Sequence, residues 1–306
     1  MTALDFGAVV LGGNVFGWST DREEGFRVLD AFLDGGGKAI DTADVYGTRT
    51  PGEDSETIIG AWLASRGARD RVVIATKVGM KAGREGLRAD NLVAAADESL
   101  RRLGVETIDL YYAHRDDGSV PQEEALAAFD RLVRDGKVRE IGASNFEPDR
   151  WRSALAAAEE SGLTPYTVAQ DDYSLVERGI EAALLPTLED LGVVELPYFS
   201  LAAGFLTGKY RPGADVDSVR AGKAAAYLDD PRALDLLGVL DDVAAEHDVP
   251  VTAVSLAWLS AQRTVAAPIA SARTEQQVGD LLAAARVTLT PQQQEQLSAA
   301  TEPVGG

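Results

Sequence analysis

Four side chains, Asp41, Tyr46, Lys77 and His114, carry the groups needed to hand a proton to a developing alkoxide. In "KAIDTADVYG" (38–47) a carboxylate and a phenol stand five positions apart, just past an apolar run. Lys77 closes "VVIATK" and His114 closes "DLYYAH". A free tyrosine has a pKa near 10, so it is a slow proton donor at neutral pH. A neighbouring ammonium stabilises the phenolate and lowers that pKa. Asp41 would keep Lys77 protonated despite partial burial, and His114 could orient a substrate carbonyl or relay the proton. Taken singly, each residue has a plainer reading. Lys77 could be a snorkelling stem at the rim of an apolar core, and His114 a satisfied structural histidine beside tyrosines. The second histidine, His247 in "AAEHDVP", falls near a predicted helix end and reads as surface.

The elements that must bring these groups together alternate regularly. Strand candidates are 8–11, 39–41, 71–77, 108–114, 140–144, 166–170, 193–198 and 265–270, all short and rich in β-branched residues. Between them run stretches with apolar residues at three- and four-residue spacing, such as 21–36, 88–104 and 121–136. The last carries Pro121 at its start and Gly136 past its end, as helix punctuation predicts. Eight strand–helix units predict a (β/α)8 barrel formed as one domain over residues 1–306. Residues 200–232, rich in glycine and charge, are expected to form a long loop of the lid or binding kind. One more helix is expected at the C-terminus, from "LTPQQQEQL" (289–297). In such a barrel the carboxyl ends of the strands converge on one mouth. Read in order, those ends offer Asp41, Lys77, His114, Ser144–Asn145, Gln170, Tyr198 and Ser271.

Composition narrows the function classes. Of the 306 residues, 45% are hydrophobic and 25% charged, enough to bury a large core. A net charge of −20 repels nucleic-acid backbones and anionic membranes, so neither is an expected partner. With no cysteine there are no disulfides, thiolate metal sites or cysteine nucleophiles, and no metal is expected. The N-terminus lacks a basic region followed by an apolar run, and no stretch has the length of a membrane span. A soluble cytoplasmic protein is expected; the sequence does not set an oligomeric state.

The segments "AIDTADVYG" (39–47), "IATKVG" (74–79), "DLYYAHRDD" (109–117), "GKVREIGASNF" (136–146), "VAQDDYSLVERG" (168–179), "PYFSLAAGFLTGKY" (197–210) and "PIASARTEQQV" (268–278) occur in this order. Together they resemble the aldo-keto reductase superfamily from about residue 9 to 285. The resemblance implies Tyr46 as general acid, with Asp41, Lys77 and His114 as partners. It implies that Ser144, Asn145 and Gln170 hold a nicotinamide carboxamide and that Tyr198 stacks on the nicotinamide ring. The hydride would pass from nicotinamide C4 to a small-molecule carbonyl substrate. Plainer readings remain: Ser144–Asn145 could cap a helix beginning near Glu147, and Gln170 could satisfy loop backbone.

Neither a Rossmann glycine fingerprint nor a P-loop is present; "LGGNVFG" (11–17) fits neither. The helix start in "IASARTEQQVGDLL" (269–282) can bind an anion through backbone N–H groups, with Arg273 forking onto a phosphate. Ser271 and Arg273 match the family's site for the adenosine 2′-phosphate, which favours NADP(H) over NAD(H). Gln277 matches a further residue there, whereas Leu281 departs from a common Asn near the adenine. Lys209, Arg211, Arg220, Lys223 and Arg232 form a basic group that could cover a pyrophosphate or be ordinary loop charges; "LTGK" matches the family at Lys209. Phe16, Trp18 and Tyr46 suggest an aromatic entrance, and the short tail "TEPVGG" (301–306) an open pocket. A cofactor-binding barrel with a regulatory or sensing role is the alternative to an enzyme. A hydrolase using the adjacent Asp116 and Asp117 is rejected, because neighbours on a strand point opposite ways and Tyr46, Lys77 and Gln170 are left without a task.

Overall fold

The structure, a computed structural model, describes residues 2–47, 53–214, 216 and 221–301. Eight short parallel strands form one sheet: β1 (Val10–Gly12), β2 (Ala39–Asp41), β3 (Val73–Val78), β4 (Ile108–Ala113), β5 (Val138–Ser144), β6 (Val168–Gln170), β7 (Val194–Glu195) and β8 (Ile269–Ala270). Each pairs with the next from β1 to β7, and β8 returns beside β1, Val10 opposite Ile269. The ring closes where Glu195 bridges Val265, on the segment leading into β8. This is the (β/α)8 barrel that the alternation predicts, with most strand ends within three residues of the predicted limits; β5 starts two residues earlier than expected and β8 four residues later.

Register decides what each strand residue faces. Val10, Ala39, Ala75, Leu110, Tyr112, Val168, Leu196 and Ile269 pack inside the ring, where Phe6 of the leading segment joins them. The intervening residues face the helices in a larger outer core that includes Trp62, Trp151, Phe32 and Phe129. A strand buried on both faces can be almost wholly apolar. The polar residues at the carboxyl ends of β2, β3 and β6 therefore stand out against their own strands.

The helices end where the sequence punctuates them. Asp21 accepts the Glu24 N–H (2.9 Å) ahead of the helix Arg22–Asp34, and Gly104 takes the left-handed conformation after Ala89–Leu103. The helix Gln122–Arg134 follows Pro121, and Pro291–Ala299 opens with a full capping box between Thr290 and Gln293. Residues 200–232 are less irregular than predicted: they include a 3-10 segment Ala202–Thr207, a short helix Ala221–Ala225 and a 3-10 turn Ala226–Asp229. Phe205, Leu206 and Tyr210 bury into a second core with Leu236, Leu240 and Trp258, which holds the chain in place despite its glycines. A hairpin pairing Met80–Lys81 with Arg84–Glu85 follows β3 and was not expected. His247 sits in the last turn of Pro231–His247, half-buried with Nε2 3.2 Å from Gln293 Oε1, rather than at a free surface.

Candidate active site

Asp41, Tyr46, Lys77 and His114 meet at the carboxyl ends of β2, β3 and β4. β2 and β3 run in register, Asp41 beside Ala75, so Lys77 lies two residues further along and reaches back across the ring. Its ammonium donates to Asp41 Oδ2 (2.6 Å), to the Thr42 carbonyl (2.8 Å) and to the Tyr46 hydroxyl (3.4 Å). Lys77 is 0% exposed and Asp41 4%, so this is a buried ion pair and not a snorkelling stem. The Tyr46 turn is fixed by the Asp44 N–H to the Lys77 carbonyl and by the Ser55 N–H to the Tyr46 carbonyl. Gly47 permits that turn: its φ is +80°, and a Cβ there would lie 2.5 Å from the Phe16 carbonyl oxygen. The His114 ring stands edge-on to Tyr46, centroids 5.8 Å apart.

Burial sets the protonation states. For Lys77 burial alone would favour the neutral amine, but the attraction of Asp41 and then Tyr46 outweighs it, and its pKa lies above the usual lysine value. For Tyr46 burial dominates too: the pKa is raised, against the lowering pull of Lys77. The expected depression of the phenol is thus reversed, chiefly by burial, with Asp41 adding to the rise. Burial, then Lys77 and Arg115, pushes the His114 pKa down to about 3, so the imidazole is neutral. Its Nδ1 is buried without a hydrogen-bond partner.

All of these groups except Lys77 line one cavity of about 540 Å³, which runs from Tyr46 and His114 to the start of the helix Glu275–Leu282. At the near end, Asn145 adopts φ +59°, donates from Nδ2 to the His114 carbonyl (3.2 Å) and Ser144 Oγ (2.7 Å), and accepts from the Tyr198 hydroxyl (2.8 Å). Ser144 and Asn145 do not cap the following helix, whose N-cap is Glu147 with no side-chain bond. Gln170 does not serve loop backbone; its Nε2 donates to Asp41 Oδ1 (3.0 Å). At the far end Ser271 Oγ donates to Asn14 Oδ1 (2.8 Å), and Gln277 Oε1 accepts the Arg273 N–H (2.8 Å). Arg273, Gln277, Leu281 and Lys209 all line the wall.

Other expectations need correction. Phe16 is 0% exposed in the outer core, and neither it nor Trp18 lines the cavity. The apolar mouth residues are Met80 and Phe199, 36% and 42% exposed, beside Arg115. Met80 belongs to the unexpected hairpin, and Phe199 has φ +51° in a tight turn, so strand-end reading passed over both. Of the basic group, Arg211 pairs with Asp241 (2.7 Å) and Arg232 with Asp230 (2.8 Å), Lys223 stands over the Phe199 ring, and Lys209 lines the cavity. Arg220 and the tail 302–306 lie outside the described residues. Asp280, one residue before Leu281, also lines the cavity and was not singled out. Among the described residues no cluster of His, Asp and Glu could hold a metal, and no helix is long and apolar enough to cross a membrane.

A parallel α/β barrel thus gathers a phenol, a buried ammonium–carboxylate pair and a neutral imidazole at one mouth. In comparisons with known proteins, residues 6–302 match the model of the aldo/keto reductase family, and the chain belongs to that family. It is 34% identical over 297 residues to an uncharacterized oxidoreductase, YrpG, of Bacillus subtilis, covering 94% of this chain and 90% of that one. It is 34% identical over 255 residues to the aldo-keto reductase str7 of Strobilurus tenacellus, covering 81% and 72%. A putative aryl-alcohol dehydrogenase of Saccharomyces cerevisiae, AAD14, is 29% identical over 314 residues, covering 94% and 81%. The protein is an oxidoreductase of a family that acts on small carbonyl compounds.

Proposed function

We propose that the chain is a single-domain NADPH-dependent reductase of aldehydes or ketones, with Tyr46 as the general acid. The reverse oxidation runs when alcohol and NADP⁺ dominate. The observation that carries this reading is the Lys77 ammonium, 2.6 Å from Asp41 and 3.4 Å from the Tyr46 hydroxyl. The raised pKa keeps the phenol protonated at neutral pH, ready to donate. As the proton leaves, the phenolate develops beside an ammonium that Asp41 holds charged, so the charge is stabilised where it forms. Neutral His114 orients the carbonyl oxygen by a neutral hydrogen bond.

The donor set of the cavity fits a dinucleotide. Amide and hydroxyl groups (Ser144, Asn145, Gln170) gather at the Tyr46 end, the Tyr198 ring offers a stacking face, and Lys209 and Arg273 supply positive charge further along. Asn145 and Gln170 would hold the carboxamide, Lys209 the pyrophosphate, and Ser271 with Arg273 the 2′-phosphate, while Gln277 braces the helix start. Bound NADPH supplies the hydride.

The test follows NADPH absorbance with aromatic and aliphatic aldehydes, benzaldehydes first because two relatives are named as aryl-alcohol dehydrogenases. Turnover is expected; binding without turnover across the panel would instead favour a sensing barrel. Arg273→Ala should raise KM for NADPH about 10- to 100-fold, the worth of one charge-assisted contact, and leave KM for NADH nearly unchanged.

A further inference from the structure

Behind the amide end of the cavity, Asp171 after β6 and Glu195 of β7 face one another on the helix side of the sheet. Glu195 sits in register with Ala169, a residue of the outer core, and neither acid lines the cavity. Both are buried, Glu195 at 0% and Asp171 at 5% exposure. Two contacts fix them: the Asp171 N–H donates to Glu195 Oε1 (2.8 Å), and Asp171 Oδ1 accepts the Asn145 N–H (3.0 Å). The second oxygens, Asp171 Oδ2 and Glu195 Oε2, are buried and find no donor among the other groups. The titratable groups that face the pair are Glu147 ahead of the helix Pro148–Ser161, Asp172, Tyr112 of β4 and Tyr198, none of them cationic. Two buried carboxylates cannot both stay charged there; a proton between them satisfies both free oxygens and leaves one negative charge. Burial raises both groups, Asp171 to about 7 and Glu195 well above the usual carboxylate range.

We propose that Asp171 and Glu195 form a one-proton carboxyl pair that positions Asn145, and through it Tyr198, against the nicotinamide end of the cofactor. Asn145 needs such a brace. At φ +59° it lies in the left-handed region, which asparagine tolerates better than other non-glycine residues but still at a cost, so contacts to its backbone help to fix it. Its backbone N–H is bound to Asp171, and its side chain carries the contact to Tyr198. Loss of the shared proton sets two charged acids against each other; it strengthens Asp171 as an acceptor for the Asn145 N–H, so repulsion that displaces the Asp171 carboxylate carries the Asn145 backbone with it. The inference rests on the reading of Asn145 as a cofactor contact.

The experiment measures NADPH affinity by fluorescence titration from pH 7 to 9.5, a range in which a 2′-phosphate is already fully charged. In the wild-type chain Kd should rise with pH, by up to about tenfold per pH unit past the loss of the shared proton. Glu195→Gln supplies a non-titrating donor to Asp171 Oδ2 and keeps an acceptor for the Asp171 N–H. It should bind within about twofold of wild type at pH 7 and lose the alkaline rise. Asp171→Asn, the mirror-image exchange, should do the same and covers the case of a Glu195 variant that fails to fold. Glu195→Leu should bind weakly at every pH, with KM for NADPH raised far more than kcat is lowered. A flat wild-type profile, or the same alkaline rise in both amide variants, overturns the pairing and leaves the reductase reading intact. A wild-type chain that binds neither NADPH nor NADH at any pH overturns that reading and this inference together.

Discussion

At the level of single residues, the site is built from charges that cancel. Asp41 and Lys77 are a buried pair, and the ammonium makes a second contact to the Thr42 carbonyl, so two of its three N–H donors are engaged and one is left for Tyr46. The phenol therefore stays protonated through neutral pH, and stabilisation by Lys77 is felt mainly once a phenolate forms. Removing Lys77 is a poor test of this. It would strand Asp41 in the barrel and cost about 3–5 kcal/mol of stability, confusing activity with folding. Tyr46→Phe is cleaner, since the ring and its edge contact with His114 remain and only the hydroxyl is lost. We expect kcat for aldehyde reduction to fall by about 10²- to 10⁴-fold, the usual worth of a positioned proton donor. The Kd for NADPH should change little. Near-wild-type turnover by this variant would remove Tyr46 from the role of acid.

At the level of elements, the first turn of the helix Ser55–Arg66 fastens the Tyr46 turn to three strands. Ser55 Oγ donates to the Gly13 carbonyl after β1 and accepts from Thr42 Oγ1 after β2 (both 2.8 Å). Glu56, fully buried, accepts from Thr76 Oγ1 of β3 (2.6 Å) and pairs with Arg102 (2.6 Å). Asp54 caps the turn by accepting the Thr57 N–H (3.0 Å) and hydroxyl (2.9 Å). Asp54→Ala should cost about 1 kcal/mol, as lost caps do, and lower Tm by about 2 °C on a thermal melt. An unchanged Tm would mean that Ser55 and Glu56 hold the turn unaided. This clamp shows where sequence reading stops. The barrel, the convergence of Asp41, Tyr46, Lys77 and His114, and the place of Ser271 and Arg273 at the far end of the cavity were legible because strand ends follow from alternation, and polar groups at a strand end are conspicuous among apolar neighbours. The Ser55–Glu56 clamp was not, because its partners Gly13, Thr42 and Thr76 are remote in sequence and ordinary in type. Met80 and Phe199 escaped for a similar reason: each reaches the mouth through a turn whose geometry no periodicity announces. The carboxyls Asp171 and Glu195 were not singled out, because only register brings them together.

At the level of the whole molecule, a net charge of −20 and several buried acids set the pH at which the fold is most stable. Burial raises Asp44 to about 6, with Glu56 adding to it, and raises Asp172 to about 6 and Asp171 to about 7, while Glu195 lies well above its usual value. Each of these groups binds its proton more tightly folded than unfolded. Its contribution to stability is therefore complete below the unfolded pKa, near 4, and is lost as pH rises through the folded value. His114, held down to about 3, acts in the opposite sense: its contribution is present above about 6.5 and is lost as pH falls toward 3. Each titrating group changes stability by at most about 1.4 kcal/mol per pH unit. Between pH 5 and 7 the four acids outnumber the one imidazole, and relief of mutual repulsion on protonation acts in the same direction. Below that window, acids held low by partners, such as Asp30 by Arg66 and Asp117 by Ser119, lose their contacts as they protonate. Tm should therefore rise as pH falls from 8 to about 5.5 and turn over below about 4.5, as measured by calorimetry across that range. Asp44→Asn, which removes one titrating group while keeping its shape, should make the alkaline slope shallower. A Tm that stays level or climbs from pH 5.5 to 8 would mean that the buried acids keep their charge in the folded chain, with compensating partners that the geometry around Asp44, Asp171 and Glu195 does not provide.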